Sequence, residues 1–189
     1  MNLKAERGAA TREKVLTIAT RLFADRGYDD TSIETVLQES GLSRGALYHH
    51  YAGKDALFEA VLEATEAAVG EKITEAVRGA DSAETALRIG LRTWIRLAAD
   101  PVIRRIVLID APAVLGWERW RAMEERYSFG MLKAALGATG AVPAEFLDLH
   151  AHMLLAAVNE SALLVARGGD QATAEAAVEE FLRRLLRTS

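Results

Sequence analysis

Cysteine is absent from the 189 residues of this chain. Its absence excludes a disulfide framework, a zinc site with thiolate ligands and a thiol nucleophile. Long hydrophobic runs are missing too, since no stretch approaches the roughly 18 uninterrupted apolar residues of a membrane-spanning helix. The N-terminal segment MNLKAERGAATREK is polar and lacks the apolar core of a signal peptide. We therefore expect a cytoplasmic protein that does not enter a membrane.

Signatures of catalysis are also missing. The chain contains no glycine-rich loop that cradles phosphate, no nucleophile elbow and no cluster of residues with metal-ligand spacing. His150 and His152 are two residues apart, so on a helix they point to different sides and make a poor metal pair. The sequence therefore predicts neither an enzyme, nor a metal site, nor a cofactor.

Convincing β-strands are lacking as well, and apolar residues recur at helical spacing along the chain. Half of the residues are apolar, which is enough for a substantial core. The run from Val102 to Ile109 has the composition of a buried strand, but no second strand is available to pair with it, so a helix is predicted there. Another helix is predicted from about Asp55 to about Gly79, roughly 35 Å long at 1.5 Å per residue. The predicted fold class is all-α.

Residues 31–51, TSIETVLQESGLSRGALYHHY, have the pattern of two short helices joined by a tight turn. Thr31 is placed to cap the first helix, and Glu34 three residues later completes a capping box. Gly41 suits the left-handed conformation that ends a helix, and Ser43 can cap the second helix. A helix-turn-helix of this kind delivers side chains into the major groove of DNA.

The second of these helices has an apolar side and a polar side. The spacing assigns Leu47 and Tyr51 to the inner side. Arg44 on its own could be merely a solvated surface charge, but it lies in the first turn of this helix, where it is placed to reach a guanine edge or a phosphate. Gly45 allows close approach of the backbone to DNA and costs helix stability that a purely structural sequence would avoid. The pattern therefore predicts a surface that reads DNA.

Residues from about Thr11 to Leu62 resemble the N-terminal domain of the TetR family of bacterial transcriptional repressors. The most distinctive stretch is GALYHHYAGKDALF, where the family usually has a Tyr, an aromatic or His pair, a short loop and a Lys. The resemblance implies a DNA-binding domain at residues 9–69, with its helix-turn-helix at 32–51, and an effector-binding and dimerisation domain at residues 70–189. The implied architecture is a three-helix DNA-binding head on a helical-bundle body of about six helices.

The resemblance also implies roles for individual head residues. Phosphate contacts are expected from Tyr48, His50 and Lys54, and base or backbone contacts from His49. A backbone-contacting hydroxyl is often found in the family at the positions of Thr31 and Ser32. The complete set of expected DNA-binding residues is Thr31, Ser32, Ser43, Arg44, Gly45, Tyr48, His49, His50 and Lys54.

The last two long helices are expected, by the same resemblance, to form a homodimer interface. They carry more apolar surface than one small body needs, and a four-helix arrangement built from two copies would cover it. The alternative is that these residues form the core of a monomer. Asn159 would either hydrogen-bond within the interface or be solvated. The expected interface residues are Leu155, Val158, Asn159, Ala162, Val178, Phe181, Leu182 and Leu185.

A ligand pocket among the central helices is the remaining implication for the body. Asp110 is placed to cap the segment before Pro112; if it is buried instead, an unpaired carboxylate would favour a cationic or hydrogen-bonding ligand. A large aromatic residue in a helical body is more often core than ligand wall, so the prediction depends on the concentration of such residues in this region. The candidates are Trp94, Ile106, Asp110, Trp117, Trp120, Met123, Tyr127, Met131, His150 and Met153.

These expectations lead to two hypotheses about function. The first is a homodimeric repressor that reads a palindromic operator in double-stranded DNA and is released by an unknown small-molecule effector. The second is an effector-independent DNA-binding regulator controlled by a protein partner. A body filled entirely by large apolar side chains would favour the second hypothesis.

Overall fold

The computed structural model describes residues 3–187, with side chains from Gly8 onward. Nine helices and no strands occur within this range, so the predicted all-α fold is confirmed. Two of the helices contain a π-helical segment, in which the backbone hydrogen bonds reach one residue further than in an α-helix. The head consists of α1 (Leu3–Arg26), α2 (Ile33–Ser40) and α3 (Arg44–His50), and α4 (Lys54–Val77) leads into the body.

Five further helices complete the body, which therefore has the six helices that were expected. Helix α6 is continuous through Pro101–Ile103, the π segment Arg104–Asp110 and Ala111–Leu115, and α7 through Trp117–Glu124, the π segment Glu125–Phe129 and Gly130–Ala138. The other three are α5 (Ala83–Leu97), α8 (Leu147–Ala166), which follows a single 3₁₀ turn at Ala144–Phe146, and α9 (Gln171–Leu186).

The helix-turn-helix forms through caps that the sequence encodes. Ser43 accepts a hydrogen bond from the backbone N–H of Ala46, and Gly41 ends α2 with a φ of 69°, as the sequence predicts. The first cap differs from the prediction: Ser32, not Thr31, accepts from the N–H of Thr35 and begins α2. The cap expected at Thr31 is therefore wrong by one residue, and Glu34 does not complete a capping box, because the residue three positions after Ser32 is Thr35.

Helix α4 connects the head to the body. It is 24 residues long, about 36 Å at 1.5 Å per residue. Leu57 and Phe58 pack in the head, where the Phe58 ring makes an edge contact with Phe23 at 5.1 Å between centroids. Further along, Glu66 and Val69 are buried in the body. The boundary expected between residues 69 and 70 lies inside this helix, so one rigid element belongs to both parts.

A second connection joins the end of α1 to the π segment of α6. The backbone N–H of Tyr28 donates to Asp110 Oδ2 at 2.8 Å, and Arg105 Nε lies 3.0 Å from Asp110 Oδ1. Asp110 makes no capping hydrogen bond to the segment that follows it. The capping role considered for Asp110 is therefore wrong, and its buried carboxylate holds the head against the body instead. We call Tyr28, Arg105 and Asp110 the head–body joint.

Within the described part of the chain, one helical segment, Ala144–Ala166, is long and apolar enough to span a membrane by length and composition alone. One side of it packs against α5, α7 and α9. The segment is therefore a body helix, and its apolar character has two sources: a buried face and an exposed apolar face on the opposite side.

Candidate DNA-binding surface and ligand cavity

Helix α3 presents a polar and aromatic surface because its apolar side is fixed in the core of the head. Leu47 and Tyr51 are buried. Arg44, Tyr48 and His49 are exposed on the opposite side, and Tyr48 retains 44% of its surface. Ser43 and Gly45 are exposed in the first turn, and His50 is half-buried at the end of the helix. Six of the nine expected DNA-binding residues thus lie on or beside α3.

Arg44 is paired within the head. Its guanidinium makes an ion pair with Glu34 on α2, and both side chains are exposed. It also lies 6.0 Å from the centroid of the Tyr48 ring. Because an exposed ion pair contributes only about 0–1 kcal/mol, Arg44 can exchange Glu34 for a base edge or a phosphate at little cost.

Lys54 begins α4 beside this surface. Its Nζ lies 4.1 Å from the centroid of the Tyr28 ring and donates to the backbone carbonyl of Asp29 at 3.3 Å. The same Tyr28 hydroxyl donates to Asp55, and burial together with this carboxylate raises the pKa of Tyr28 to about 12. Lys54 is therefore positioned through Tyr28, whose backbone belongs to the head–body joint.

The two hydroxyl residues before α2 differ in exposure. Ser32 is exposed, and its hydroxyl caps α2. Thr31 retains 1% of its surface, and its hydroxyl donates to the carbonyl oxygens of Gly27 at 2.8 Å and Leu22 at 3.2 Å. A buried hydroxyl with two backbone partners cannot reach a phosphate. The expectation that Thr31 contacts DNA is therefore corrected, and its role is to fix the turn after α1.

A cavity of about 340 Å³ lies in the body between α4, α5, α7 and α8. Most of its wall is apolar, and small residues leave the space: Thr74, Ala86, Gly90, Ser128, Ala134 and Ala135. The polar groups of the wall are connected by hydrogen bonds. The indole N–H of Trp94 donates to Asn159 Oδ1 at 3.0 Å, and the Asn159 amide donates to Glu124 Oε1 at 2.6 Å. Separately, the Ser128 hydroxyl donates to Glu66 Oε2 at 3.1 Å.

Burial perturbs both carboxyl groups of the cavity. It raises the pKa of Glu66 to about 7, an effect that the Ser128 hydroxyl opposes and the nearby Glu124 carboxylate increases. Burial also raises the pKa of Glu124, against the opposing effects of the Asn159 amide and Arg121. A buried acid whose pKa is raised as far as that of Glu66, in a concave site, is typical of functional sites.

Two of the ten expected pocket residues, Trp94 and Met131, line this cavity. The other eight lie elsewhere for reasons visible in the fold. Ile106 and Trp120 are buried in the core, Met123 packs against it, and Asp110 belongs to the joint. Trp117 and Met153 are exposed, Tyr127 donates to Glu63 Oε1 at 2.7 Å, and His150 Nδ1 contacts the carbonyl of Phe146. Glu66, Glu124 and Ser128 were not predicted as pocket residues. The sequence did contain a signal for Glu66, since it interrupts a row of apolar residues on α4 that includes Leu62, Val69 and Ile73.

The eight expected interface residues lie mostly inside the chain. Six are buried in its core: Leu155, Val158, Asn159, Ala162, Val178 and Leu182. Leu155, Val158 and Asn159 also line the cavity. Phe181 is exposed and Leu185 is half-buried. The six buried residues are therefore corrected to core and cavity positions, because α8 turns this face toward α5 and α7, and α9 turns Val178 and Leu182 inward, where it packs against α5 and α8.

Exposed apolar side chains lie on the opposite face of α8, with the exposed Glu160 among them, and in the 3₁₀ turn before it. Phe146, Leu149, Met153 and Leu164 each retain about half of their surface or more, between 48% and 61%. At 3.6 residues per turn, positions 149, 153 and 164 fall on one side of α8. Phe181 on α9 is exposed to a similar extent. We call these five residues the apolar stripe.

A helix-turn-helix head joined by a long helix to a helical body with a cavity defines a DNA-binding transcription regulator. The family profile "Bacterial regulatory proteins, tetR family" matches residues 15–61, and the profile "Tetracyclin repressor-like, C-terminal domain" matches residues 84–188. The chain belongs to the TetR family of transcriptional regulators, whose members are not enzymes.

Individual relatives agree with this assignment. A TetR-family regulator from Pectobacterium atrosepticum has 31% sequence identity and a TM-score of 0.76, and the match covers 98% of this chain and 96% of that one. RolR in complex with resorcinol has the same fold at 19% identity and a TM-score of 0.71, over 98% of this chain and 97% of that one. Among curated proteins, the regulator AcrR of Shigella flexneri is 38% identical over 61 residues, and a repressor of Mycobacterium tuberculosis is 47% identical over 53 residues. Each of these two matches spans 28% of the relative's length.

Proposed function

We propose that this regulator is a cytoplasmic, homodimeric repressor that reads a palindromic operator and is released by a small-molecule effector. The observation that supports it most directly is that α4 connects the two functional surfaces. Lys54, beside the DNA-facing helix, begins α4, and the cavity is lined further along by Glu66, Ile73 and Val77 of the same helix. A shift of α4 that accommodates a ligand therefore moves the base of the head.

DNA reading is assigned to the exposed side of α3. Arg44, freed from Glu34, reaches a base edge or a phosphate, and Gly45 permits close approach of the backbone. Tyr48, His49 and His50 flank the contact, with Ser32 and Ser43 at the two helix starts. Lys54 grips phosphate from the start of α4, where Tyr28 holds its ammonium.

Dimerisation is assigned to the apolar stripe. A second copy that packs its own stripe against this one buries the same surface on both chains, as two-fold symmetry requires. Two heads then present two α3 helices, and such pairs read half-sites about one DNA turn apart, roughly 34 Å. The palindromic operator follows from this symmetry.

Effector control is assigned to the cavity. A body filled by side chains would have favoured a regulator without an effector, whereas this body contains an apolar space with a few fixed polar groups, as small-molecule sites do. RolR, which shares the fold, is a protein in complex with resorcinol. Coupling between such sites is typically about 1–3 kcal/mol, a change of roughly 5- to 150-fold in DNA affinity.

Binding of the purified protein to genomic DNA fragments, followed by sequencing of the retained fragments, tests this function. We expect recovery of a short palindrome at near-physiological salt. Recovery of unsorted DNA alone would contradict sequence-specific reading and reduce α3 to a backbone-binding surface.

Variants tested on the selected fragments and on random DNA also distinguish base contacts from phosphate contacts. Arg44→Ala should weaken binding to the palindrome by about 1–3 kcal/mol and leave binding to random DNA almost unchanged, because a base contact carries the sequence preference. Lys54→Ala should weaken both and reduce the salt dependence by about one counterion. Fluorescence anisotropy at several salt concentrations measures both effects. Equal losses of affinity for Arg44→Ala on both DNAs would show that Arg44 contacts the DNA backbone instead of a base.

A further inference from the structure

The polar end of the cavity is built from four helices. Glu66 comes from α4, Trp94 from α5, Glu124 and Ser128 from α7, and Asn159 from α8. Both ends of the Asn159 amide are hydrogen-bonded, since its oxygen accepts from the Trp94 indole and its nitrogen donates to Glu124. The position of Glu124 is therefore fixed before any ligand enters.

Each of the two carboxyl groups keeps one oxygen available. Hydrogen bonds from the described residues reach Oε2 of Glu66 and Oε1 of Glu124 but not the second oxygen of either group. The described cavity wall contains no Lys, Arg or His. Two buried carboxyl groups without a basic partner are costly, because the interior solvates charge poorly.

Charged groups outside the wall compensate Glu124 only in part. Arg121 and His152 favour its ionised form, Glu125 opposes it, and burial, which raises the pKa of Glu124, outweighs them. Glu66 retains 1% of its surface, and burial and the nearby Glu124 favour its protonated form; the Ser128 hydroxyl, which favours the ionised form, carries no charge. A positive charge at the two free oxygens would offset the negative charge that the surrounding groups leave uncompensated.

The remainder of the wall fits an apolar molecule. Leu87, Leu91, Leu132 and Leu155 line it. Trp94 and Met131 also face this space; a Trp ring attracts cations through its π face, and the polarizable thioether of Met packs well on apolar groups. At about 340 Å³ the cavity lies at the small end of the range for small-molecule sites, roughly 300–1,000 Å³.

We infer that the effector is a lipophilic amine, a small apolar molecule whose ammonium group binds the free oxygens of Glu66 and Glu124. Its apolar part occupies the space among the leucines and Met131. This inference rests on the proposed function in one respect, namely that the effector occupies this cavity.

Three probes with one skeleton test it: phenylbutylamine, phenylbutanol and phenylbutyrate. Their binding to the full-length protein without DNA is measured by isothermal titration calorimetry. We expect the amine to bind at least about tenfold more tightly than the alcohol, because charge-assisted hydrogen bonds are stronger than neutral ones, and the carboxylate to bind weakest. Amine binding near neutral pH should also release protons from Glu66, which buffers of different ionisation enthalpy detect, whereas the alcohol should release none.

Two isosteric variants assign the preference to the cavity. Glu66→Gln and Glu124→Gln should each reduce amine affinity by about tenfold and leave alcohol affinity nearly unchanged, because only the charge is removed. Glu63→Gln is the matched control on the same helix, since Glu63 contacts Tyr127 and Arg126 outside the cavity. We expect it to leave both affinities unchanged.

The outcomes separate this inference from the proposed function. Equal or tighter binding of the alcohol, or amine binding that both Gln variants leave intact, overturns the amine class. If the alcohol releases the protein from its selected DNA and the amine does not, effector control stands and the amine class fails. If none of the probes binds, the inference fails, while recovery of a palindrome still supports DNA reading.

Discussion

At the scale of single residues, the Glu66 carboxyl makes the stability of the body depend on pH. Its pKa is about 7 in the folded chain and about 4.3 for an unfolded glutamate. Between these values the folded state binds more protons than the unfolded state, so the free energy of unfolding falls as pH rises. The stability that the buried Glu66 carboxyl contributes is complete below the pKa of the unfolded state and is lost as pH rises through the pKa of the folded state. Glu124, whose pKa is also raised, acts in the same direction.

Glu66→Gln should therefore be more stable than the original chain at about pH 8, by on the order of 3 kcal/mol, and similar to it at about pH 4. Gln keeps the shape and an acceptor for Ser128 but has no proton to lose. Urea unfolding at a fixed protein concentration across this range measures the difference. Glu63→Gln serves as the control. A difference between Glu66→Gln and the original chain that does not grow with pH would contradict the prediction.

A second prediction concerns Glu34, which competes with DNA for Arg44. Glu34→Gln removes the ion pair and a negative charge near the phosphates, so DNA affinity should rise by about two- to fivefold, given the small free energy of exposed pairs. Fluorescence anisotropy with a selected fragment measures this. Glu71→Gln removes the same charge from an exposed position in the body, beyond effective screening distance, and should have no effect. Unchanged or weaker binding by Glu34→Gln would show that the pair orients Arg44 instead.

At the scale of helices, the sequence predicted where helices form better than it predicted which face of each helix turns toward the core. Helical spacing, Gly41 and Ser43 were sufficient for the helix-turn-helix, because caps and periodicity are local. The rotation of α8 was not predictable, since it is apolar on both sides and the choice depends on what α5 and α7 present to it. The cavity was missed for a related reason: large side chains such as Trp120 fill space, whereas a cavity remains beside small residues.

The head–body joint is the element-scale feature with a testable role. Asp110→Ala leaves the Tyr28 N–H and Arg105 without their acceptor, which should cost about 1–3 kcal/mol. Asp110→Asn retains an amide oxygen for the N–H and should cost less. If the joint transmits movement of α6 to the head, Asp110→Ala should also bring the DNA affinities with and without a bound probe closer together, as measured by anisotropy.

Asp100→Ala is the matched control for this prediction. Asp100 caps the same helix through the N–H of Val102 at 2.8 Å, and its loss should cost about 1 kcal/mol without touching the joint. Similar affinity ratios for Asp100→Ala and Asp110→Ala would mean that lost stability, rather than the joint, determines the response.

At the scale of the whole molecule, the apolar stripe gathers five of the large apolar side chains that a single chain leaves exposed. Its residues come from α8, the 3₁₀ turn before it and α9, near the C-terminal end of the described chain and away from α3, so a two-fold partner packed there leaves both heads free. Leu149→Glu combined with Met153→Glu places two charges in the middle of the stripe, and burying them in a dimer would be costly. We expect this variant to remain folded, because both side chains are exposed, and to sediment as a monomer.

Loss of the dimer should then appear in DNA binding. A dimer joins two heads, and the second head binds at a high effective concentration, so the monomeric variant should bind the palindrome at least about 100-fold more weakly. Its affinity for an isolated half-site should be unchanged. Trp117→Glu is the control, since Trp117 retains 61% of its surface at the start of α7 and lies outside the stripe; it should remain dimeric. Sedimentation and anisotropy measured together decide the assignment: a stripe variant that remains dimeric, or a Trp117 variant that dissociates, would place the interface elsewhere on the body.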